Sequence, residues 1–146
     1  MATDIWRGVR GDLRRILLAL PGVPDVAFEG RAFTPTTGVS FISERIEKGG
    51  ARTVTLGGHG QQEERAIYAL DLNIPRVSSF ADGEDLADAI RCAFRPGREI
   101  ASVLSDYAMG RVIASSVRTP IMFADWTQFP IRIEFFIRRA TAQGWA

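Results

Sequence analysis

The clearest pattern of apolar and polar positions lies toward the C-terminal end. Phe129, Ile131, Ile133, Phe135 and Ile137 alternate with Pro130, Arg132, Glu134, Phe136 and Arg138. A period of two marks a strand with one face toward a core. Residues 66–75 repeat it, with Tyr68, Leu70, Leu72 and Ile74 on one face and Ile67, Ala69, Asp71 and Asn73 on the other. Two stretches follow the helical period instead. Ile5, Trp6, Val9, Leu13, Ile16, Leu17 and Leu20 predict a helix over 3–20, with Thr3 as N-cap, Asp4 in its first turn and Pro21-Gly22 as its stop. Leu86, Ile90, Ala93 and Phe94 predict a second helix over 83–94, capped by Asp82 and ended by Pro96-Gly97. Glu84 and Asp85 near its start, with Arg91 and Arg95 near its end, suit the helix dipole.

The remaining segments read as β-structure and turns. Val26-Ala27-Phe28 is a short strand, and Phe33-Thr34-Pro35 with Gly38 a turn. Residues 39–47 form a longer strand that Gly49-Gly50 should break, and 51–56, with Val54 and Leu56, should return as a hairpin. Weaker β patterns occupy 100–104, 111–117 and 121–126. Two single-striped helices and five or six mostly antiparallel strands predict an α+β, two-layer sandwich, with two helices on one face of a mostly antiparallel sheet and a long β-hairpin arm. No repeat, low-complexity tract or long linker divides the 146 residues, so one domain, 1–146, is expected.

The arm, residues 48–65, is the unusual part. Thr55-Leu56-Gly57-Gly58-His59-Gly60 is followed by five polar residues, Gln61 to Arg65. Its glycines permit backbone conformations that other residues resist, and it has little apolar content to bury. It is expected to be mobile in the isolated subunit and to order against another chain, which would meet the ordering cost.

Composition narrows the choices. A 46% hydrophobic content suits a globular chain and excludes wholesale disorder. No apolar run approaches the roughly 20 residues that span a bilayer, and acidic Asp4 without a following apolar stretch argues against a secretory signal. A net charge of +1 gives no strong pull toward nucleic acid. Of 18 basic residues only Lys48 is lysine. A GC-rich genome produces such a bias, and so does selection for bidentate contacts. One cysteine, Cys92, permits no internal disulfide, as in a reducing compartment.

Reactive chemistry is sparse. The single histidine, His59, lies in the Gly-rich run, and Cys92 lies on a helix where a small buried hydrophobe is the common role. A nucleophile and its base would meet only through tertiary folding, and no zinc-ligand pattern is present. The run Gly57-Gly58-His59-Gly60 lacks the Gly-Lys-Ser/Thr of a phosphate loop, and a strand follows it rather than a helix. Glu44, Glu47, Glu63, Glu64, Asp82, Glu84 and Asp85 fall on faces predicted to be exposed. No catalytic residue, metal site or cofactor is expected. Surfaces are left. Arg7, Arg10 and Arg14 form one stripe of the first helix, either solvated or docking an acidic partner. Phe136, on the polar face of the last strand with Arg132, Glu134 and Arg138, is what a subunit interface at a sheet edge would use.

The order of these pieces resembles the tail terminator-like proteins of long-tailed bacteriophages and gene transfer agents. The pieces are an N-terminal helix, Phe28-Glu29-Gly30, Phe33-Thr34-Pro35 with Gly38, and a strand with Phe41. Then come Thr55-Leu56-Gly57-Gly58-His59-Gly60, Tyr68-Ala69-Leu70-Asp71-Leu72, Leu86-Ala87-Asp88-Ala89-Ile90, Phe94 through Gly97, and the closing strand at 130–137. The resemblance spans about residues 5–138 and implies a structural virion protein of the tail-neck region, assembled in the host cytoplasm. Such proteins form a homo-hexameric ring that caps the tail tube, stops its polymerisation and receives the head connector, while DNA passes through the lumen. Implied partners are the protein itself, the tube protein and the connector, with no membrane. A closed ring needs two different patches on each subunit. The candidates are Arg52, Thr55, Gly57, Gly58, His59, Gly60 and Arg65 on the arm, with Arg132, Glu134, Phe136 and Arg138 on the last strand. Arg7, Arg10 and Arg14 are candidates for partner docking. The long segment 98–128 departs from the family pattern and leaves open another neck, head-closure or tail-completion protein. From a different class, a small enzyme or nucleic-acid-binding module also stays open.

Overall fold

The computed structural model describes residues 5–53, 61–101, 107 and 109–140. Its elements in chain order are α1 (Ile5–Leu18), β1 (Asp25–Ala27), β2 (Phe41–Thr53), β3 (Gln61–Pro75), α2 (Phe80–Ala93), β4 (Met109–Val117), β5 (Ile121–Met122) and β6 (Trp126–Ala140). The strands form one sheet in the order β1-β2-β3-β6-β4, with β5 added against the start of β6. Only β1 against β2 is parallel. Both helices lie on the same face, so the expected α+β sandwich is the observed one.

The two alternating patterns meet in the middle of the sheet. β3 and β6 pair along their whole length, Tyr68 opposite Ile133 and Leu70 opposite Ile131. This aligns their apolar faces under the helices, and Tyr68, Leu70, Leu72, Phe129, Ile131, Ile133, Phe135 and Ile137 are buried. From above, α1 contributes Ile5, Val9, Leu13, Ile16 and Leu17, and α2 contributes Ala87 and Ile90. Removing this much apolar surface from water is the main force holding the layers together.

Several boundaries differ from expectation. Gly49-Gly50 does not end β2. The register shifts by one residue between Lys48 and Ala51, so both glycines stand opposite Arg65 in a bulge and pairing resumes at Ala51. A Cβ on Gly49 would stand 2.7 Å from the Arg65 carbonyl oxygen, so the two backbones approach this closely only without a side chain there. Residues 51–53 therefore continue β2, and the returning strand starts at Gln61; Val54 and Leu56 lie outside the described residues. The flanks of the arm are integral sheet, since Gln62 to Glu64 pair with β2 on one side and Gln61 to Arg65 with β6 on the other. The expected mobility of 48–65 does not hold for these flanks.

The second helix starts at Phe80 rather than residue 83. Its N-cap is Ser79, whose hydroxyl accepts a hydrogen bond from the Asp82 N–H at 3.3 Å, so Asp82 sits inside the first turn. Gly83 is thus a helix-interior residue, where a Cβ would come within 2.7 Å of the Phe129 ring. The segment 98–128 contains β4 and β5. Residues 97–100 cover part of the outer edge of β4, with the Ile100 N–H donating to the Gly110 carbonyl at 2.9 Å and the Val112 N–H to that of Arg98 at 2.9 Å.

Candidate functional site

Three surfaces remain once the core is closed. The first is the sheet face away from the helices. Alternation sends Arg45, Glu47, Glu63, Arg65, Asp71, Arg132, Glu134, Phe136 and Arg138 there, and register brings them into a charged lattice. Asp71 accepts from Arg45 at 3.1 Å and from Arg132 at 2.9 Å. Glu63 accepts from Arg65 at 3.2 Å and Arg138 at 3.4 Å. Glu63 and Asp71 are buried among these guanidinium groups, although no helix covers this face. The Arg138 guanidinium carbon lies 5.3 Å from the centre of the half-buried Phe136 ring. Arg52 pairs opposite Glu63 in the strand register. Thr55, Gly57, Gly58, His59 and Gly60 lie outside the described residues.

This surface corrects one expectation. Phe136 does not flank a sheet edge, because β6 is an interior strand between β3 and β4. Any contact through it uses the open face, not edge pairing.

The second surface is a groove between α1 and the base of the arm, lined by Trp6, Arg7, Arg10, Gly11, Arg14, Glu29 and Lys48. Here the arginine stripe divides by role. Arg14 reaches over the helix flank and donates through Nε to Glu44 Oε1 at 2.6 Å, with Nη2 on the same oxygen. Arg10 pairs with Glu29 at 2.5 Å. Neither is a simply solvated group, and only Arg7 of the three is exposed. Lys48 sits 5.0 Å over the Trp6 ring.

Glu44, expected on an exposed face, is buried because it is in phase with Ile42 and Ile46 on the helix side of β2. Besides Arg14, its carboxylate accepts from the Tyr68 hydroxyl and, at 3.4 Å, from the Glu29 N–H. Burial first, and then the adjoining Glu44 charge, push the Tyr68 phenol well above its ordinary range. This buried set ties α1 to the sheet, and its side chains are satisfied within the subunit.

The third surface is the end of the sheet opposite the arm. Val77, Ile121, Met122 and Phe123 are exposed there, beside a ring stack of Phe33, Phe41 and Trp126 with centroids 5.4 and 5.1 Å apart. The Arg76 N–H donates to the Asp125 carbonyl at 3.2 Å, joining the two loops that carry this apolar end. Sequence reasoning missed it. The signal was the run Ile121-Met122-Phe123 directly after Pro120, too short to show a period.

Catalytic chemistry gains no support from the geometry. Cys92 is exposed, not a buried hydrophobe, because it falls on the side of α2 away from Ala87 and Ile90. Its neighbours are Arg91 and Asp88. Among the described residues no three of His, Cys, Asp and Glu cluster as metal ligands, and no helix is long and apolar enough to cross a membrane.

A solved protein chain 16% identical to this one covers 94% of it and 96% of its own length at a TM-score of 0.63, which establishes a shared fold and nothing more. Among curated proteins there is no match. The sequence model of the phage tail terminator proteins matches residues 4–135, nearly the whole chain and both helices, and the protein belongs to that family of phage tail structural proteins.

Proposed function

We propose that this protein caps the finished tail tube as a closed ring of six subunits, stops tube polymerisation and offers the surface to which the head connector docks. DNA passes through the lumen without sequence-specific binding. The family match over residues 4–135 carries this reading. The fold is compatible with it, because a subunit in a ring needs separate surfaces for two neighbours, the tube and the connector. The charged open sheet face, the α1 groove and the apolar end opposite the arm are separate surfaces of this kind. The arm, with Arg52, Thr55, Gly57, Gly58, His59, Gly60 and Arg65, and the β6 face, with Arg132, Glu134, Phe136 and Arg138, are the proposed subunit and tube contacts.

The test combines native mass of the purified protein with electron microscopy of particles made with and without it. A hexamer, or a monomer that forms a ring only on tube ends, supports the reading. So do tails of uncontrolled length, separate from heads, when the protein is absent. A monomer that never joins tails, with normal tails made in its absence, refutes it.

A further inference from the structure

The charges that the subunit does not pair internally are segregated onto two flanks. In the α1 groove, Arg7 and Lys48 have no carboxylate within ion-pair reach among the described residues, and Arg10 Nε is buried without a hydrogen-bond partner. On α2, Glu84 and Asp85 are exposed and have no cation within ion-pair reach among the described residues, whereas Asp88 is paired with Arg91. Both lie in the second turn of α2, beyond the first turn where the helix dipole accounts for acidic residues.

The sheet order sets where these flanks point. α1 is tied to the β2 side through Arg14 and Glu44, and its groove is closed by Lys48 of β2. α2 packs on β6 and β4, with Phe80 against Phe129 and the Ser115 hydroxyl of β4 bonded to the Arg91 carbonyl. Glu84 and Asp85 line a depression shared with Val117 and Arg118, at the end of β4. β2 and β4 lie on opposite sides of the β3–β6 pair. The basic groove and the acidic helix face are therefore on opposite flanks of one layer, complementary to each other and unable to meet within one subunit.

We propose that the α1 groove binds the acidic face of α2 from a second copy of this chain, Arg7 and Lys48 receiving Glu84 and Asp85. This pairing is head-to-tail, so it repeats around a closed assembly. It rests on the ring reading above and names the contact that builds the ring. Opposite charges steer the encounter and fix the register, and like charges placed face to face prevent it.

Charge reversal tests the pairing. Arg7→Glu with Lys48→Glu makes the groove acidic, and Glu84→Arg with Asp85→Arg makes the helix face basic. Among the described residues all four side chains are free of ion pairs within the subunit, so each variant should melt like the parent; a variant that does not is replaced by Arg7→Gln with Lys48→Gln, or Glu84→Gln with Asp85→Asn. Native mass and tail-length microscopy are read for each. Either reversal alone should abolish assembly and tail capping. The four-fold variant should restore both, and so should mixing the two double variants, because alternating subunits then face opposite charges at every contact. Normal rings from either double variant, or a four-fold variant that stays inactive, overturn the pairing while leaving the ring reading intact. A parent protein that neither assembles nor caps tails overturns the ring reading itself.

Discussion

Replacing Arg14 by leucine should cost the subunit about 3 kcal/mol, because it strands a buried carboxylate without its cation. The Glu44 side chain is 1% exposed and Arg14 20%. Without the guanidinium, the carboxylate keeps the Tyr68 hydroxyl and a long hydrogen bond from the Glu29 N–H as its polar partners. Breaking a buried pair by removing one partner costs about 3–5 kcal/mol, and the partial exposure of Arg14 argues for the lower end. Leucine keeps an apolar stem against Phe28, although it cannot replace the guanidinium that lies 4.5 Å above that ring. For a chain of this size about 2–4 °C of melting temperature accompanies each kcal/mol, so a fall of roughly 6–12 °C is expected. The control is the triple variant Arg14→Leu, Glu44→Leu and Tyr68→Phe, which removes the charges and the hydroxyl together. Replacing a whole buried ionic set by apolar groups is often neutral or stabilising, so the triple variant should melt within a few degrees of the parent. Thermal and urea unfolding at neutral pH decide it. A single variant as stable as the parent, or a triple variant less stable than the single one, refutes this account.

Four further outcomes follow from the same packing. Tyr68 has a folded-state pKa above its unfolded one. Above about pH 10 the unfolded chain therefore holds fewer protons than the native one, and stability falls as pH rises; the melting temperature should drop over that alkaline range, and drop less in Tyr68→Phe. Gly83→Ala gains about 1 kcal/mol in helix propensity but sets a methyl against the packed Phe129 ring, where overpacking costs about 1–3 kcal/mol; a melting temperature above the parent's would show that the ring yields. Ile133→Asp places an unpaired charge in the fully buried centre of β6, a loss of about 3–5 kcal/mol from a stability of roughly 5–15 kcal/mol, and should leave the protein unfolded or insoluble, which circular dichroism checks. Replacing residues 54–60 by Asn-Gly should leave the melting temperature within a few degrees, because pairing from Thr53 to Gln62 is kept, and should abolish tail-length control; normal tails joined to heads would exclude the arm from assembly.

The chain alone determined the layers. Alternation over 66–75 and 129–137 and the helical stripes of α1 and α2 are properties of neighbours in sequence, and hydrophobic burial acts on them directly. Glu44 was legible in the same way, being in phase with Ile42 and Ile46, but a carboxylate at that position suggests solvent until its cation is known. What the sequence could not settle depends on partners far apart along the chain. Arg14 meets Glu44 across 30 positions, and Arg132 meets Asp71 across 61. β6 became an interior strand only because β4 pairs on its other side, which moved Phe136 from an edge to an open face. Gly49-Gly50 reads locally as a break, and it is the pairing with Arg65 that makes it a bulge. The separation of the basic groove from the acidic helix face likewise comes from strand order, because each charge run looks solvated by itself and only the sheet sets them on opposite flanks.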